Sequence, residues 1–134
     1  MRIIKFTLII FTLAFFLQEN KSQSNGSFPQ EITKATQRGD ANSLASFFND
    51  RIELMLPEKS GVFSKEQAQF IMKDFFNDHK PTSFQINHEG VRDNSSYVIG
   101  RYVCSKDQFR FYFLTKNVDN KTLIIQIRVD KQDD

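Results

Sequence analysis

The sequence predicts an α+β fold in which two or three helices pack on a curved antiparallel sheet and enclose a conical hollow. Apolar residues recur at helical spacing in the first part of the chain and alternate with a period of two from Thr82 onward. Four alternating segments follow one another across short turns, which favours antiparallel neighbours. The chain has 134 residues, 15 of them phenylalanine, which is enough for one hydrophobic core.

Two short helices are expected first. Ser27 can cap a helix with Pro29 in its first turn, and Gly39 can end that helix because glycine tolerates left-handed backbone. Asp40 can then cap a second helix. The residues that would form the buried face of the second helix have helical spacing, and they are Ala41, Leu44, Ala45 and Phe48.

A strand and a longer helix come next. Residues 51–56 are mostly apolar and end at a proline, so we predict a strand there and a loop over residues 58–61. Ser64 and Gln67 have the spacing of a capping box that begins a third helix, which should end near His79, just before the next proline. The apolar face of this helix consists of Ala68, Ile71, Met72, Phe75 and Phe76.

The last part of the chain predicts four strands. Turn-forming residues separate them at 93–95, 105–107 and 118–121. The alternating apolar residues of the four strands are, in order, Phe84 and Ile86; Tyr97, Ile99 and Val103; Phe109, Phe111 and Phe113; and Leu123, Ile125, Ile127 and Val129.

Residues 1–24 are predicted to be a signal peptide, which leaves residues 25–134 as a single α+β domain in the periplasm or outside the cell. Two basic residues precede an apolar run over residues 6–17, and Ser22-Gln23-Ser24 is a small-x-small cleavage site. The apolar run is shorter than the roughly 20 residues that a membrane-spanning helix needs. No stable membrane insertion is therefore expected after cleavage, and an uncleaved N-terminal anchor is the alternative.

Charge and composition argue against several classes of function. The chain has 18 basic and 16 acidic residues, and three of the basic and one of the acidic residues lie in the predicted signal peptide. The remainder is formally neutral and has no basic stripe, so no nucleic-acid partner is expected. The chain has one cysteine, so no internal disulfide is expected. This cysteine and the two histidines lack metal-binding spacing, so no metal site is expected. The chain has no phosphate-binding loop, so no cofactor is expected.

Several short motifs carry a resemblance to known proteins: Gly39-Asp40 with Leu44-Ala45-Ser46-Phe47-Phe48, Phe63-Ser64-Lys65-Glu66-Gln67-Ala68 leading to Asp74-Phe75-Phe76, His88-Glu89-Gly90, Ile99-Gly100, and Phe109-Arg110-Phe111. With these motifs the chain resembles a family of short exported bacterial proteins of unknown function. The order of its elements resembles the cystatin-like, cone-shaped fold of the nuclear-transport-factor-two-like superfamily over about residues 28–130. The resemblance implies a fold and export, and it implies no reaction and no catalytic residue.

Enzymes of this superfamily hold acid–base side chains inside the cone, where burial shifts their pKa values toward the working pH. We expect His88 to share the face of Phe84 and Ile86, and Glu53 to point inward toward Arg110 or outward to solvent. The alternatives are structural: a hydrogen-bonded His88 and packed tyrosines with satisfied hydroxyls. The candidate pocket residues in this chain are Glu53, His88, Tyr102, Arg110 and Tyr112.

The other histidine and the cysteine have simpler interpretations. His79 lies at the predicted end of a helix, where a positive charge interacts favourably with the helix dipole. Cys104 is interpreted as a buried inert thiol, because no neighbouring basic residue in the sequence would lower its pKa. No catalytic residue is assigned.

Three functions remain open. The first is a non-enzymatic exported domain that binds a small apolar ligand or a protein partner through its cone or its sheet. The second is a small pocket enzyme, a hydrolase, isomerase or dehydratase, that uses His88 with Glu53 or a tyrosine. The third is a structural or assembly module of the cell envelope, with a homodimer formed through the sheet as the expected route of association.

Overall fold

The computed structural model of the chain describes residues 28–133, so the predicted signal peptide lies outside the described residues. The chain forms helices α1 (Gln30–Arg38) and α2 (Ala41–Ala45), strands β1 (Phe48–Met55) and β2 (Ser60–Ser64), and helix α3 (Lys65–Asp78). Four long strands follow: β3 (Pro81–Arg92), β4 (Ser95–Cys104), β5 (Gln108–Val118) and β6 (Lys121–Gln132). None of these helices combines the length and the hydropathy that crossing a membrane requires.

All the strands belong to one sheet in the order β2-β1-β6-β5-β4-β3. Strands β3 to β6 form the predicted antiparallel meander, and β1 and β2 form an antiparallel hairpin. The hairpin joins the meander through a parallel pairing of β1 with β6. The predicted α+β fold is confirmed, and the expectation of antiparallel pairing fails only where the hairpin meets the last strand.

The ends of the first two helices agree with the prediction, with two exceptions. Pro29 is the N-cap residue of α1 rather than part of its first turn, no side chain caps it, and Ser27, the predicted cap, lies outside the described residues. Gly39 ends α1 with a φ of 63°, and its N–H donates to the carbonyl of Thr36. The Asp40 side chain accepts a hydrogen bond from the N–H of Ser43 and caps α2. The second helix ends at Ala45, however, so Phe48 is the first residue of β1 and not the last residue of a helical face. Phe48 is buried in either arrangement.

The loop predicted at residues 58–61 is in part a strand. Met55 pairs with Ser60 and Arg51 with Ser64, so β2 returns along β1 as a hairpin. The sequence did not indicate this strand because β2 lies at the sheet edge and none of its residues is fully buried. An edge strand of this kind lacks the alternation that reveals a half-buried strand.

The third helix follows the prediction closely. The Ser64 hydroxyl accepts from the N–H of Gln67, and the Gln67 side chain accepts in return from the N–H of Ser64, which completes the capping box. The helix ends at Asp78, and His79 follows as the C-terminal cap residue. Its buried residues are Ala68, Met72, Phe75 and Phe76, and Phe70 on the same helix is 68% exposed.

A β-bulge changes the predicted alternation of β6. Leu114 pairs with Gln126, whereas Thr115 pairs with Ile124, so Ile125 has no partner of its own on β5. The extra residue brings Ile124 to the same face as Ile127, and both are fully buried. Ile125 therefore does not share the face of Ile127, as strict alternation had predicted.

The helices cover one face of the sheet, called here the inner face, and the opposite side is called the outer face. The centre of the inner face is aromatic. The ring centroid of Phe111 lies 4.7 Å from that of Tyr102, 5.7 Å from that of Phe75 on α3, and 5.8 Å from that of Phe84. Packed rings therefore fill the centre of the cone in which the sequence predicted a hollow.

Candidate functional site

The five predicted pocket residues do not meet inside the cone. Tyr102 is fully buried on the inner face. Glu53, His88, Arg110 and Tyr112 alternate with buried inner-face residues or pair with outer-face neighbours, and they project from the outer face. The structure therefore separates the set between the aromatic core and the outer face of the sheet.

His88 is exposed because β3 contains a bulge. Ile86 pairs with Gly100, but His88 pairs with Ile99, so Asn87 is an extra residue between them. The bulge reverses the alternation, and His88 lies on the outer face with Ile99 rather than on the inner face with Phe84 and Ile86. The expected common face of these three residues is therefore not observed, and His88 is not enclosed in a pocket.

Glu53 lies far from His88. It is on β1, where its Oε1 accepts a hydrogen bond of 3.1 Å from the side-chain nitrogen of Gln126 on β6. Three strands separate β1 from β3 in the sheet order, which places the two strands roughly 19 Å apart at the usual strand spacing. Glu53 and His88 cannot act together on one substrate atom at that separation. The proposed acid–base pair therefore has no geometric support.

Tyr102 is a core residue with a satisfied hydroxyl, as the structural alternative predicted. Its hydroxyl donates to the backbone carbonyl of His79, and its ring stacks on Phe111. Burial raises the pKa of Tyr102 well above its ordinary value, and the neighbouring Cys104 adds to the effect. The hydroxyl therefore stays protonated at any ordinary pH.

Arginines concentrate on the outer face. Arg101 on β4 is the direct cross-strand neighbour of Arg110 on β5, and both are exposed. Arg101 donates to the side-chain oxygen of Gln108 at 2.6 Å. In the next strand, Arg128 donates to Asp130 at 3.0 Å, although Asp130 is the cross-strand partner of Arg110. Among the described residues Arg110 forms no ion pair, so two guanidinium groups lie side by side without a shared carboxylate.

Two tyrosines extend this arginine group along the same face. The rings of Tyr97 and Tyr112 stack with centroids 6.1 Å apart, and Tyr112 is the cross-strand neighbour of Arg128. We call Tyr97, Arg101, Arg110, Tyr112 and Arg128 the arginine–tyrosine patch. Two of these residues, Arg110 and Tyr112, were predicted as site residues, and the other three were missed because sequence alternation does not tell which neighbours a strand will have.

A second group of chemically active side chains lies at one end of the inner face. His79 follows α3, Cys104 ends β4, and Asp107 precedes β5. One ligand atom from each of these side chains lies within 4.8 Å of the others. The Asp107 Oδ2 atom is 3.9 Å from His79 Nδ1, and the other carboxylate oxygen is 3.3 Å from the Lys131 ammonium.

The backbone and neighbouring rings hold this group in place. The Cys104 thiol donates to the carbonyl of Asp107 at 3.2 Å across the β4–β5 turn. The His79 ring lies between Phe75 and Phe109, with centroid distances of 4.9 and 4.8 Å. No motif in the sequence indicated this group, since 24 residues separate His79 from Cys104 and none of the spacings matches a metal motif.

Comparisons with known proteins identify the family. The sequence profile described as "Domain of unknown function (DUF4783)" matches residues 29–130. A DUF4783 family protein from Bacteroides ovatus is 34% identical, with a TM-score of 0.77, and the match covers 80% of this chain and 97% of that one. A DUF4783 family protein from Bacteroides uniformis is 35% identical, with a TM-score of 0.76, covering 81% and 100%.

A more distant crystal structure shows the fold alone. An NTF-2 like protein of unknown function from Silicibacter pomeroyi is 11% identical, with a TM-score of 0.59, covering 77% of this chain and 88% of that one. No curated protein matches the chain. Because the family profile covers most of the chain and the Bacteroides structures match it along nearly their full length, the chain belongs to the DUF4783 family, a family of unknown function with an NTF2-like α+β fold.

Proposed function

We propose that the protein is an exported, non-enzymatic binding module whose arginine–tyrosine patch binds an acidic surface of a protein partner. The observation that carries this proposal is the direct opposition of Arg101 and Arg110 on neighbouring strands. Like charges directly opposite one another destabilise an antiparallel pair. An acidic partner would lie against both guanidinium groups, and its charge would compensate their repulsion.

The composition of the patch supports a protein partner rather than a small molecule. Tyrosine and arginine are among the residues that most often contribute the binding energy of protein interfaces. Three of the five side chains in the patch are charged, whereas sites for small ligands are lined mainly by apolar side chains. The positive charge is also local, because basic and acidic residues are equal in number outside the predicted signal peptide.

The centre of the inner face supports the same proposal by leaving little room for an apolar ligand. Phe75, Tyr102 and Phe111 are in mutual contact, with ring centroids 4.7 to 5.8 Å apart. A ligand in the centre of the cone would have to displace these rings from a packed core, which costs more than it gains in a well-packed interior. Binding at the outer face requires no such rearrangement.

The variant Arg101→Glu gives a sharp test because its effects on stability and on binding are opposite. A glutamate opposite Arg110 replaces a like-charge pair with an ion pair, so we expect the free energy of unfolding to rise by about 0.2–1 kcal/mol. The same variant should weaken binding of an oligoglutamate peptide several-fold, measured by amide chemical-shift changes. Since the variant is at least as stable as the wild type, the loss cannot come from unfolding.

A matched control is Lys34→Glu, which makes the same charge change at an exposed position of α1. It should leave the peptide titration unchanged. Shift changes in the wild type should centre on β4 and β5 and weaken as salt is raised. Equal loss of binding in both variants would show that only net charge matters, and it would contradict the proposal.

Association of two copies is the competing use of the same face. Light scattering of the purified protein over a range of concentrations separates the two. A monomer that binds the acidic peptide at the patch supports the proposal. A concentration-dependent dimer with shift changes on the outer face would assign the face to a second copy and would overturn the acidic-partner proposal.

The proposal of export rests on the N-terminal sequence. A fusion of the chain to alkaline phosphatase should be active in a bacterial host, because that enzyme needs an oxidising compartment for its disulfides. Ile10→Arg places a charge within the apolar run and should abolish activity, whereas Thr12→Ser should not. Intact mass of the unfused protein should show removal of the predicted signal peptide, and an uncleaved chain would favour the N-terminal anchor instead.

A further inference from the structure

We propose that His79, Cys104 and Asp107 form a binding site for a single divalent transition-metal ion, with Zn²⁺ as the preferred ion. The three side chains come from the end of α3, the end of β4 and the turn before β5, and their ligand atoms lie within 4.8 Å of one another. This site is at the inner-face end of the sheet and does not depend on the binding proposed for the arginine–tyrosine patch.

The ligand set determines the choice of metal. An imidazole nitrogen, a thiolate sulfur and a carboxylate oxygen are the three ligand types that zinc takes in proteins. Binding requires the thiol to ionise, so the Cys104 proton passes to solvent as the S–Zn bond forms. Bond lengths of about 2.0–2.3 Å put ligand atoms roughly 3.3–3.8 Å apart around tetrahedral zinc. The observed separations therefore have to shorten by about 1 Å, which small side-chain rotations can supply.

The histidine is already fixed in a suitable position. Its backbone N–H donates to the carbonyl of Phe75 at 2.9 Å, and its own carbonyl accepts from the Tyr102 hydroxyl. Phe75 and Phe109 flank the ring and restrict its orientation. A pre-oriented ligand loses less conformational entropy on binding, so the aromatic contacts favour metal binding.

A cleft of about 380 Å³ is lined by two of the three ligands, His79 and Asp107, and has a negative balance of charge. Its lining includes Glu58, Asp74, Asp78 and Asp107 against Lys59 and Lys131. Negative charge around the opening favours a cation in the site. Three protein ligands leave the fourth tetrahedral position open toward this cleft, which is the arrangement of zinc sites that bind water or another ligand.

The positive charge of Lys131 should repel the metal ion, which provides a second test of the proposal. Its ammonium is 3.3 Å from Oδ1 of Asp107, so Oδ2, the oxygen nearer His79, remains for the metal. A lysine this close to a doubly charged ion should weaken binding roughly tenfold by Coulomb repulsion. The variant Lys131→Gln should therefore bind the metal more tightly than the wild type.

Cobalt provides a direct readout of the site. The chelator-treated protein is titrated with Co²⁺, and zinc affinity follows from displacement of the cobalt. The wild type should bind one equivalent, with the d–d bands of tetrahedral cobalt and a thiolate-to-cobalt charge-transfer band. Cys104→Ser should lose the charge-transfer band, and because the chain has one cysteine the band can come from no other residue. Circular dichroism checks that each variant is folded.

His79→Gln keeps the thiol and should bind at least about tenfold more weakly. His88→Gln removes the other histidine, on the outer face, and serves as the matched control with unchanged binding. Zinc should also raise the Tm of the wild type and slow alkylation of Cys104. A wild type without the charge-transfer band, equal binding by His79→Gln, or weaker binding by Lys131→Gln would each overturn the proposal.

Discussion

Two glycines each lie beneath an aromatic ring, so an alanine substitution at either position tests how tightly the ring above it is packed. A Cβ atom on Gly100 would come within 2.4 Å of the Phe84 ring, and one on Gly90 would come within 2.3 Å of the Tyr97 ring. The two rings differ in their freedom to move, because Phe84 is buried and Tyr97 is 38% exposed. Only the buried ring is held in place by the rest of the core.

We therefore expect Gly100→Ala to destabilise the protein by about 1–3 kcal/mol, since the Phe84 ring must move against Phe111 and Phe113. Gly90→Ala should change the free energy of unfolding by less than about 1 kcal/mol, because Tyr97 can turn toward solvent. Urea denaturation of both variants measures the difference. Equal effects would mean that the Phe84 ring is not fixed by its neighbours.

Tyr102 gives stability a dependence on alkaline pH. Its pKa is raised by burial in the folded protein from an unfolded value of 10.0. Below pH 10 both states are protonated, and the contribution of Tyr102 is fully present. As the pH rises above 10 the unfolded state ionises first, so stability falls by up to about 1.4 kcal/mol per pH unit.

The variant Tyr102→Phe should remove that alkaline loss. Near neutral pH it should be about 1 kcal/mol less stable than the wild type, because the hydrogen bond to the His79 carbonyl is lost. The difference should narrow as the pH rises above 10. Unfolding curves across this range measure the slopes, and Tyr112→Phe is the control on the outer face. A variant whose slope matches the wild type would show that Tyr102 is not the responsible group.

At the scale of elements, the features predicted correctly from the sequence are those formed by residues close together in the chain. The capping box of Ser64 and Gln67 and the Gly39 cap are formed by residues within a few positions of one another. The bulges at Asn87 and Ile125 depend on the pairing of one strand with another. One extra residue reverses the face of everything after it, which is why His88 was expected inside and is found outside.

The capping box makes a prediction about α3. Ser64→Ala removes the hydroxyl that accepts from the Gln67 N–H and should destabilise the protein by about 1 kcal/mol. Gln67→Ala removes the reciprocal bond to the Ser64 N–H. Because the bonds share one turn, the double variant should lose less than the sum of the single losses in a double-mutant cycle. Fully additive losses would mean that the two bonds act independently.

At the scale of the whole molecule, the features that the sequence did not predict are those formed by residues distant from one another in the chain. The helix–strand order and the meander follow from local periodicity, so the α+β cone was predictable. The group of His79, Cys104 and Asp107 and the opposition of Arg101 and Arg110 require the order of strands in the sheet. Both arise where residues distant in sequence meet, and neither has a recognisable motif.

The filled interior leads to the last prediction. Phe111 is fully buried, and its ring contacts those of Phe75, Phe84 and Tyr102. Phe111→Ala should cost about 3–5 kcal/mol and leave an apolar cavity in the centre of the cone. Such cavities stay dry and bind small apolar molecules, so benzene should raise the Tm of this variant. Benzene should leave the Tm of the wild type unchanged, because the aromatic side chains of the wild-type core already occupy that space.

The matched control is Phe70→Ala on α3, where the side chain is 68% exposed. This substitution removes the same atoms at a position where the side chain mainly contacts solvent. The free energy of unfolding should therefore change by less than about 0.5 kcal/mol, and benzene should leave the Tm of this variant unchanged. If Phe111→Ala does not fold, Phe111→Leu removes less volume and should show a smaller benzene effect of the same sign. If benzene raises the Tm of the wild type as much as that of the variant, the cone contains a space for an apolar ligand. The binding function would then be assigned to the interior instead of the outer face.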